Sequence, residues 1–308
     1  LTRASEAAHQ ASHQSWDELL APALLQQGLA ERHLGRLDQA EENLKAACSL
    51  FEGLFEVRGH GRSLLGLGRV AEQRGDFDQA AIYFDGGRDL FERSGDMLGV
   101  AQSLNALGDI ARQSQDYSLA RSYSNQALQT SKNIGYQIGV ADGLNDIAEW
   151  DRLQGDLDSA RARCIEARDL YRALGSQKSQ FVELNLGLIH LEQGDFAEAS
   201  KIFERLEMDF RSTQQWSLLA HAMVGLLPGY ADNGNWEAFD WCFHEAVRLL
   251  EQTGINDPNI TIAARIGAIV ADEAGELSRA EALRKIIRSQ REAITSSQVL
   301  RRIVVEDE

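Results

Sequence analysis

Small and apolar residues return along this chain in fixed columns, one set every 39 to 41 residues. A six-residue turn marks each period. It reads GRLDQA at 35–40, GDFDQA at 75–80, QDYSLA at 115–120, GDLDSA at 155–160, GDFAEA at 194–199, GNWEAF at 234–239 and GELSRA at 275–280. Seven residues before the turn stands a small side chain: Gly28, Gly68, Gly108, Ala148, Gly187 and Ala268, with Leu227 breaking the column. The turn closes on Ala40, Ala80, Ala120, Ala160, Ala199 and Ala280, with Phe239 breaking it in the same unit. Seven residues on come Ala47, Gly87, Ala127, Ala167 and Ala246, and Leu44, Phe84, Phe203 and Phe243 stand between. The pattern predicts two helices per unit, A before the turn and B after it. A self-similar period of this length is the signature of a repeat array.

Each column has a physical cause. The small residue on helix A and the Ala opening helix B stand where the helices cross, because bulk there would hold the axes apart. The Ala seven residues later returns to the same face of B, and the large residue between fills the hole between units. The turn Gly can take the left-handed conformation that ends a helix. The Asp after it can accept hydrogen bonds from the free N–H groups opening helix B.

Composition agrees. Prolines number 3 in 308 residues, and Ala, Leu, Gln, Glu and Arg abound; these residues lose little freedom in a helix. The expectation is an all-α chain. Its formal net charge of −16 repels phosphate backbones and gains little from counterion release, which disfavours nucleic acid and anionic membranes as partners. No run approaches the roughly 18 apolar residues of a membrane span. Cys48, Cys164 and Cys242 lie in apolar helical patterns without metal-ligand spacing, as expected of buried thiols in a reducing compartment. The start at Leu1, already within a helical pattern, suggests a piece of a longer protein.

These columns resemble the tetratricopeptide repeat (TPR): small at position 8, turn near 15–16, Ala at 20, aromatic at 24, Ala at 27. In that register the units are 21–54, 61–94, 101–134, 141–174, 180–213, 220–253 and 261–294. Residues 1–20 read as helix B of a truncated preceding repeat and a connector, and 295–308 as a cap or tail. The helix-ending proline usual near position 32 is missing. The longer period carries a second motif, as in SGDMLGVAQSLNALGDIA at 94–111 and IGYQIGVADGLNDIAEW at 134–150. It resembles the 40-residue TPR variety of Leu-Gly-Asn-repeat adaptors and maltose-regulator-type bacterial signalling proteins. The resemblance implies a right-handed α-solenoid of antiparallel helix pairs whose A helices line a concave groove. It implies a cytoplasmic, non-catalytic scaffold, the sensor or regulatory segment of a larger signalling protein carrying a kinase or nucleotide-switch domain. Two alternatives are a superhelix that senses a small ligand and a module that self-associates through its terminal repeats.

Candidate chemistry thins out under inspection. The glycines of GHGRSLLGLG at 59–68 fall in repeat columns, whereas a phosphate loop needs a strand before it. His9 and His13 have i, i+4 spacing but no third ligand. His190 and His221 read as packing or surface histidines. Asp76, Asp116, Asp156 and Asp195 recur once per unit, so they cannot converge as a catalytic pair. No catalytic residue, cofactor or metal is therefore expected.

Function is expected instead on helix A. Positions 2, 5, 9 and 12 form one stripe. They are Arg62, Leu65, Arg69 and Glu72 in the second unit, Gln102, Asn105, Asp109 and Arg112 in the third, and Asp142, Asn145, Glu149 and Arg152 in the fourth. Asn can donate to and accept from a peptide backbone at once, and the charges would select partner side chains. Arg62, Arg69, Gln102, Asn105, Asp109, Arg112, Asp142, Asn145, Glu149 and Arg152 are thus candidates for binding a protein or peptide ligand. The competing reading is internal ion pairing between units. In the fifth unit the stripe is Phe181, Leu184, Leu188 and Leu191, either core or an apolar pocket. In the sixth, Pro228 predicts a kink or an early helix end, with altered curvature between units five and seven. Trp236, Phe239, Trp241 and Phe243 follow it, as filler or as an interaction hot spot.

Overall fold

The computed structural model describes the backbone of residues 2–114 and 116–306, and the side chains of 16–114 and 116–291. Gln115 of the third turn, the side chains of His9 and His13, and those of the tail beyond 291 lie outside the described residues. Among the described residues every regular element is an α-helix. They are α1 (Thr2–His33), α2 (Leu37–Gly53), α3 (Val57–Arg74), α4 (Phe77–Ser94), α5 (Met97–Gln113), α6 (Tyr117–Ile134) and α7 (Gln137–Leu153). Then come α8 (Leu157–Ala173), α9 (Ser179–Glu192), α10 (Phe196–Ser212), α11 (Trp216–Asp232), α12 (Trp236–Thr253), α13 (Pro258–Glu273) and α14 (Leu277–Glu306). Odd-numbered helices are the A helices and even-numbered ones the B helices of an all-α solenoid. The chain divides into two compact bodies, Leu1–Ile147 and Ala148–Glu308, and within each body sequential helices pack on one another.

The recurring turn is built by two residues. The turn glycines, Gly75 at φ 83° among them, are left-handed. The Asp that follows caps helix B. Asp76 accepts from the Gln79 N–H at 3.1 Å, Asp116 from Leu119 at 3.0 Å, Asp156 from Ser159 at 3.2 Å and Asp195 from Glu198 at 3.3 Å. Each bond satisfies a donor that the helix leaves open.

The small column and the large column meet face to face. A Cβ on Gly28 would lie 2.6 Å from Leu44 Cγ, and one on Gly68 or Gly187 would press into the ring of Phe84 or Phe203. Ala40, Ala80, Ala120, Ala160 and Ala199 are fully buried. In the second body the core is continuous, with Phe203, Phe210, Leu219, Met223, Phe239 and Leu283 at its centre.

A second glycine column closes each helix B. Gly95, Gly135, Gly175 and Gly254 take positive φ there. Phe55 at φ 55° and Gln214 at φ 56° hold the same left-handed geometry with side chains, at a cost of about 1–2 kcal/mol each.

Three segments differ from the sequence pattern. Where a connector is expected before residue 21, none bends the chain: α1 runs unbroken over Thr2–His33. Residues 2–27 contain no glycine to open a left-handed turn. Pro228 does not end α11, which continues to Asp232. The proline is buried, with Cγ 3.5 Å from the position a Cβ would take on Gly267 of α13. Packing of this ring against a glycine retains the helix where propensity alone would stop it. The tail is helical to Glu306 as part of α14.

Gly68→Leu should destabilise the fold by about 1–3 kcal/mol, the usual range for overpacking. Gly53→Ala, at a helical site with nothing within 4 Å of the added Cβ, should be neutral or stabilising. Thermal unfolding of the two variants checks the pair; equal melting points would remove the packing role from the small column.

Candidate functional site

The A-helix stripe of the first body is built on α3 and α5. Arg62 is exposed. Arg69 is half-buried; its Nη1 donates to Glu72 Oε2 at 2.8 Å and lies 3.6 Å from Asp109 Oδ2 on the next A helix. Its guanidinium stands 5.3 Å over the Phe84 ring. Asp109 pairs in turn with Arg112 at 3.5 Å. On α1, burial and then the charge of Arg69 lower the pKa of Arg32, while Glu72 raises it. Positions 9 and 12 therefore form a rail of paired charges on α3 and α5, with Arg32 of α1 beside it. Pairs this exposed are each worth about 0–1 kcal/mol, so the rail does more to fix charge positions than to hold the fold.

Positions 2 and 5 differ from the rail. Gln102 and Asn105 are half-buried on α5. The Oδ1 of Asn105 is out of contact with solvent and accepts no hydrogen bond. A buried acceptor left empty is uncommon in native structures. Asp142 and Asn145 hold the same two slots on α7 and are half-buried as well.

Glu149 is half-buried, and Arg152 is committed inside the second body. Its side chain is 4% exposed. Nη1 donates to Glu192 Oε1 of α9 at 3.1 Å and Nη2 to Asn259 Oδ1 of α13 at 3.0 Å. Beside it, buried His221 sets Nδ1 3.4 Å from Asp257 Oδ2. Asp257 caps α13 by accepting from the Asn259 N–H at 2.8 Å. Its own N–H donates to Gln290 Oε1 at 3.1 Å, and Gln290 Nε2 donates to Ile255 O at 3.0 Å. Burial alone would raise the Asp257 carboxyl. The His221 hydrogen bond and charge, the Asn259 N–H and Arg152 outweigh burial and hold it below the ordinary carboxylate value. This network seats α13 on α11 and α14. Sequence reading missed it; its one visible signal is the widened final spacing of 41 residues.

The remaining candidates resolve into structure. Gly59, Gly61, Gly66 and Gly68 make room for Phe51, Phe91, Leu44 and Phe84, so the glycine-rich stretch is a packing surface. Leu184, Leu188 and Leu191 are core, while Phe181 is exposed. Phe239 is buried, with Trp236 edge-on at 5.8 Å and Phe243 stacked at 6.4 Å. Trp241 is 59% exposed, with the Arg211 guanidinium 5.8 Å over its ring. His190 Nδ1 lies 3.3 Å from Asp195 Oδ2. Burial pushes the thiols up, Cys48 to about 11 and Cys164 to about 12, and Cys242 upward as well. Cys242 also donates to Met223 O at 3.1 Å. Thiols held protonated are poor nucleophiles. Among the described residues no three His, Cys, Asp or Glu side chains gather as metal ligands, and no helix is long and apolar enough to cross a membrane.

A tetratricopeptide-repeat profile matches residues 19–93, 61–133 and 139–207. No curated protein sequence matches the chain. Among solved structures, the apo form of RapI superposes with a TM-score of 0.70 at 13% identity, covering 90% of this chain and 99% of that one. A Rap protein complexed with competence and sporulation factor gives 0.65 at 13% identity, covering 90% and 76%. A signal transduction ATPase with numerous domains (STAND) from Pyrococcus horikoshii, with a tetratricopeptide-repeat sensor, gives 0.66 at 16% identity; the match covers 94% of this chain and 44% of that one. At these identities the likeness is one of fold.

The depressed Asp257 carboxyl contributes stability that is present above its unfolded value, about 3.9, and is lost as pH falls through its lower folded value. Asp257→Asn should therefore lower the melting point at pH 7, by roughly 1–3 kcal/mol of stability. It should also flatten the loss of stability below about pH 4. Thermal melts across pH test this; an unchanged acid limb in the variant would remove Asp257 as its source.

Proposed function

This chain belongs to the tetratricopeptide repeat family, and from that premise we propose that it is a non-catalytic protein- or peptide-binding scaffold. The partner lies along the A-helix face of α3, α5 and the start of α7. The observation that carries this reading is the empty buried acceptor on Asn105. An extended peptide passing over α5 would supply the missing N–H, while the Asn amide donates back to a peptide carbonyl. Gln102, Asp142 and Asn145 continue the polar row, and exposed Arg62 begins it. The rail of Arg69, Asp109 and Arg112 offers fixed charges for selecting partner side chains. Arg152 belongs to the support of the second body rather than to the contact row.

Two neighbours favour the reading. One Rap structure holds a bound factor, and the STAND protein uses its repeats as a sensor. The role we assign is the sensor or regulatory segment of cytoplasmic signalling machinery. A preformed rigid surface suits that role, because little ordering entropy is lost when the partner docks. A non-catalytic role is supported by the turn carboxylates, each consumed in capping its own helix, and by thiols that burial holds protonated.

Peptides selected from a displayed library against the wild-type chain provide the test. Asn105→Ala combined with Asn145→Ala should weaken their binding tenfold or more, about 1.4 kcal/mol. The melting point should move by less than about 2 °C. Selected peptides that bind the double variant with unchanged affinity would sink the assignment.

A further inference from the structure

The chain carries a formal net charge of −16, yet a half-buried cation on its A-helix face has no acid to answer it. Arg32 stands near the end of α1 and is half-buried. Its Nε is out of contact with solvent and donates no hydrogen bond. Its Nη2 lies 3.1 Å from His33 Nε2, a ring nitrogen rather than a carboxylate. The acids around it are committed elsewhere. Glu31 pairs with Arg36 at 3.2 Å. Glu72 acts on Arg32 through its charge but is bonded to Arg69 at 2.8 Å. Asp109 is divided between Arg69 and Arg112. Among the described residues Arg32 therefore has no carboxylate partner.

That state is unfavourable. Burial and the neighbouring Arg69 both act against the charged form of Arg32. A guanidinium stays charged at ordinary pH, so it cannot shed the charge as a buried carboxyl or lysine can. Other withdrawn charges in the chain are matched: Arg152 by Glu192 and Asn259, and Glu183 by Arg172 and Arg205. An unmatched one is costly, and an anion from outside would relieve it.

The place of Arg32 says which anion. Arg32 is at position 12 of its unit, Arg69 at position 9 and Asn105 at position 5. Each step to the next A helix moves back three or four residues, one helical turn. The three thus lie on an oblique line across α1, α3 and α5, which pack in that order. With axes about 9 Å apart and about 10 Å of rise between positions 12 and 5, Arg32 and Asn105 are separated by about six residues of extended peptide.

We propose that Arg32 anchors a carboxylate of the partner peptide, about six residues from the part that meets Asn105. This rests on the reading that a peptide occupies the A-helix face. The carboxylate meets the guanidinium from its half-exposed side and supplies the charge that the fold leaves out. One surplus cation suits one carboxylate rather than a run of phosphates.

The test uses the full chain and peptides selected against it from a displayed library, each made with a free and with an amidated C-terminus. The peptides should share an acidic side chain or require the free C-terminus. Arg32→Gln should weaken their binding about tenfold. Replacing the shared acid by its amide, or amidating the C-terminus, should cost as much on wild type and nothing further on Arg32→Gln. Whichever change matters identifies the source of the carboxylate. Arg32→Gln should melt at the wild-type temperature or above it, since an unmatched charge is removed. Peptides that need no carboxylate, or losses that add in full, overturn the anchor. So does a lower melting point, which would make Arg32 a support of the fold. Asn105→Ala combined with Asn145→Ala reads the row separately. Peptides that depend on the asparagines and ignore Arg32 sink the anchor alone, and peptides that couple to Arg32 and ignore the asparagines sink the row alone.

Discussion

Everything in this protein depends on how closely each A helix can approach its B helix. Gly28 against Leu44, Gly68 against Phe84 and Gly187 against Phe203 are one contact made three times. The glycine removes a side chain where the axes cross, and the large residue fills the space that results. That contact fixes the rotation of each A helix about its own axis. Once the rotation is set, positions 2, 5, 9 and 12 must face away from the partner helix. The A-helix stripe is a consequence of the crossing, not an independent feature. The turn Asp residues serve the same end, since a helix B that starts one residue late would carry its large residue past the glycine.

The local, repeated part of this logic was legible in sequence. Column spacing, caps and turn glycines depend on residues within about one period, and seven copies average away the exceptions. What escaped was non-local. Arg152 sits in the same column as Arg112, yet Arg112 is half-buried and Arg152 is sealed between α9 and α13. Its partners lie 40 and 107 residues away, and no period reveals a contact made across several units. Of the two outcomes Pro228 predicts, the early end does not occur: α11 continues to Asp232, and the ring is received by Gly267 on another helix. The continuous α1 was legible in principle, since no glycine stands in 2–27.

Polar residues in the two bodies have opposite standing. On α3 and α5 the charged rail is half-exposed, so water screens it and each pair adds little to stability. Around Asp257 the groups are largely withdrawn from water, and an unmatched charge would be costly. Arg152, Glu192, His221, Asp257 and Asn259 therefore stand or fall together as the seat of α13. The same residue types, at comparable repeat positions, form a half-exposed rail in one body and a structural joint in the other. Burial decides between the two outcomes, and burial here is set by whether a later A helix packs over the stripe.

This distinction also explains why departures from the repeat rule carry different meanings. Leu227 and Phe239 break the small columns together, and both are enclosed in the core of the second body. Pro228 breaks helix propensity and is answered by Gly267. Gln214 breaks the glycine rule and is answered by the bonds of Thr213 and Gln215. In each case the compensation is visible in the same body. The buried oxygen of Asn105 has no such answer among the described residues, and the Ser103 hydroxyl on the same helix shares that state. What distinguishes Asn105 is its place on the A-helix row, where a deficit in hydrogen bonding can be made good from outside.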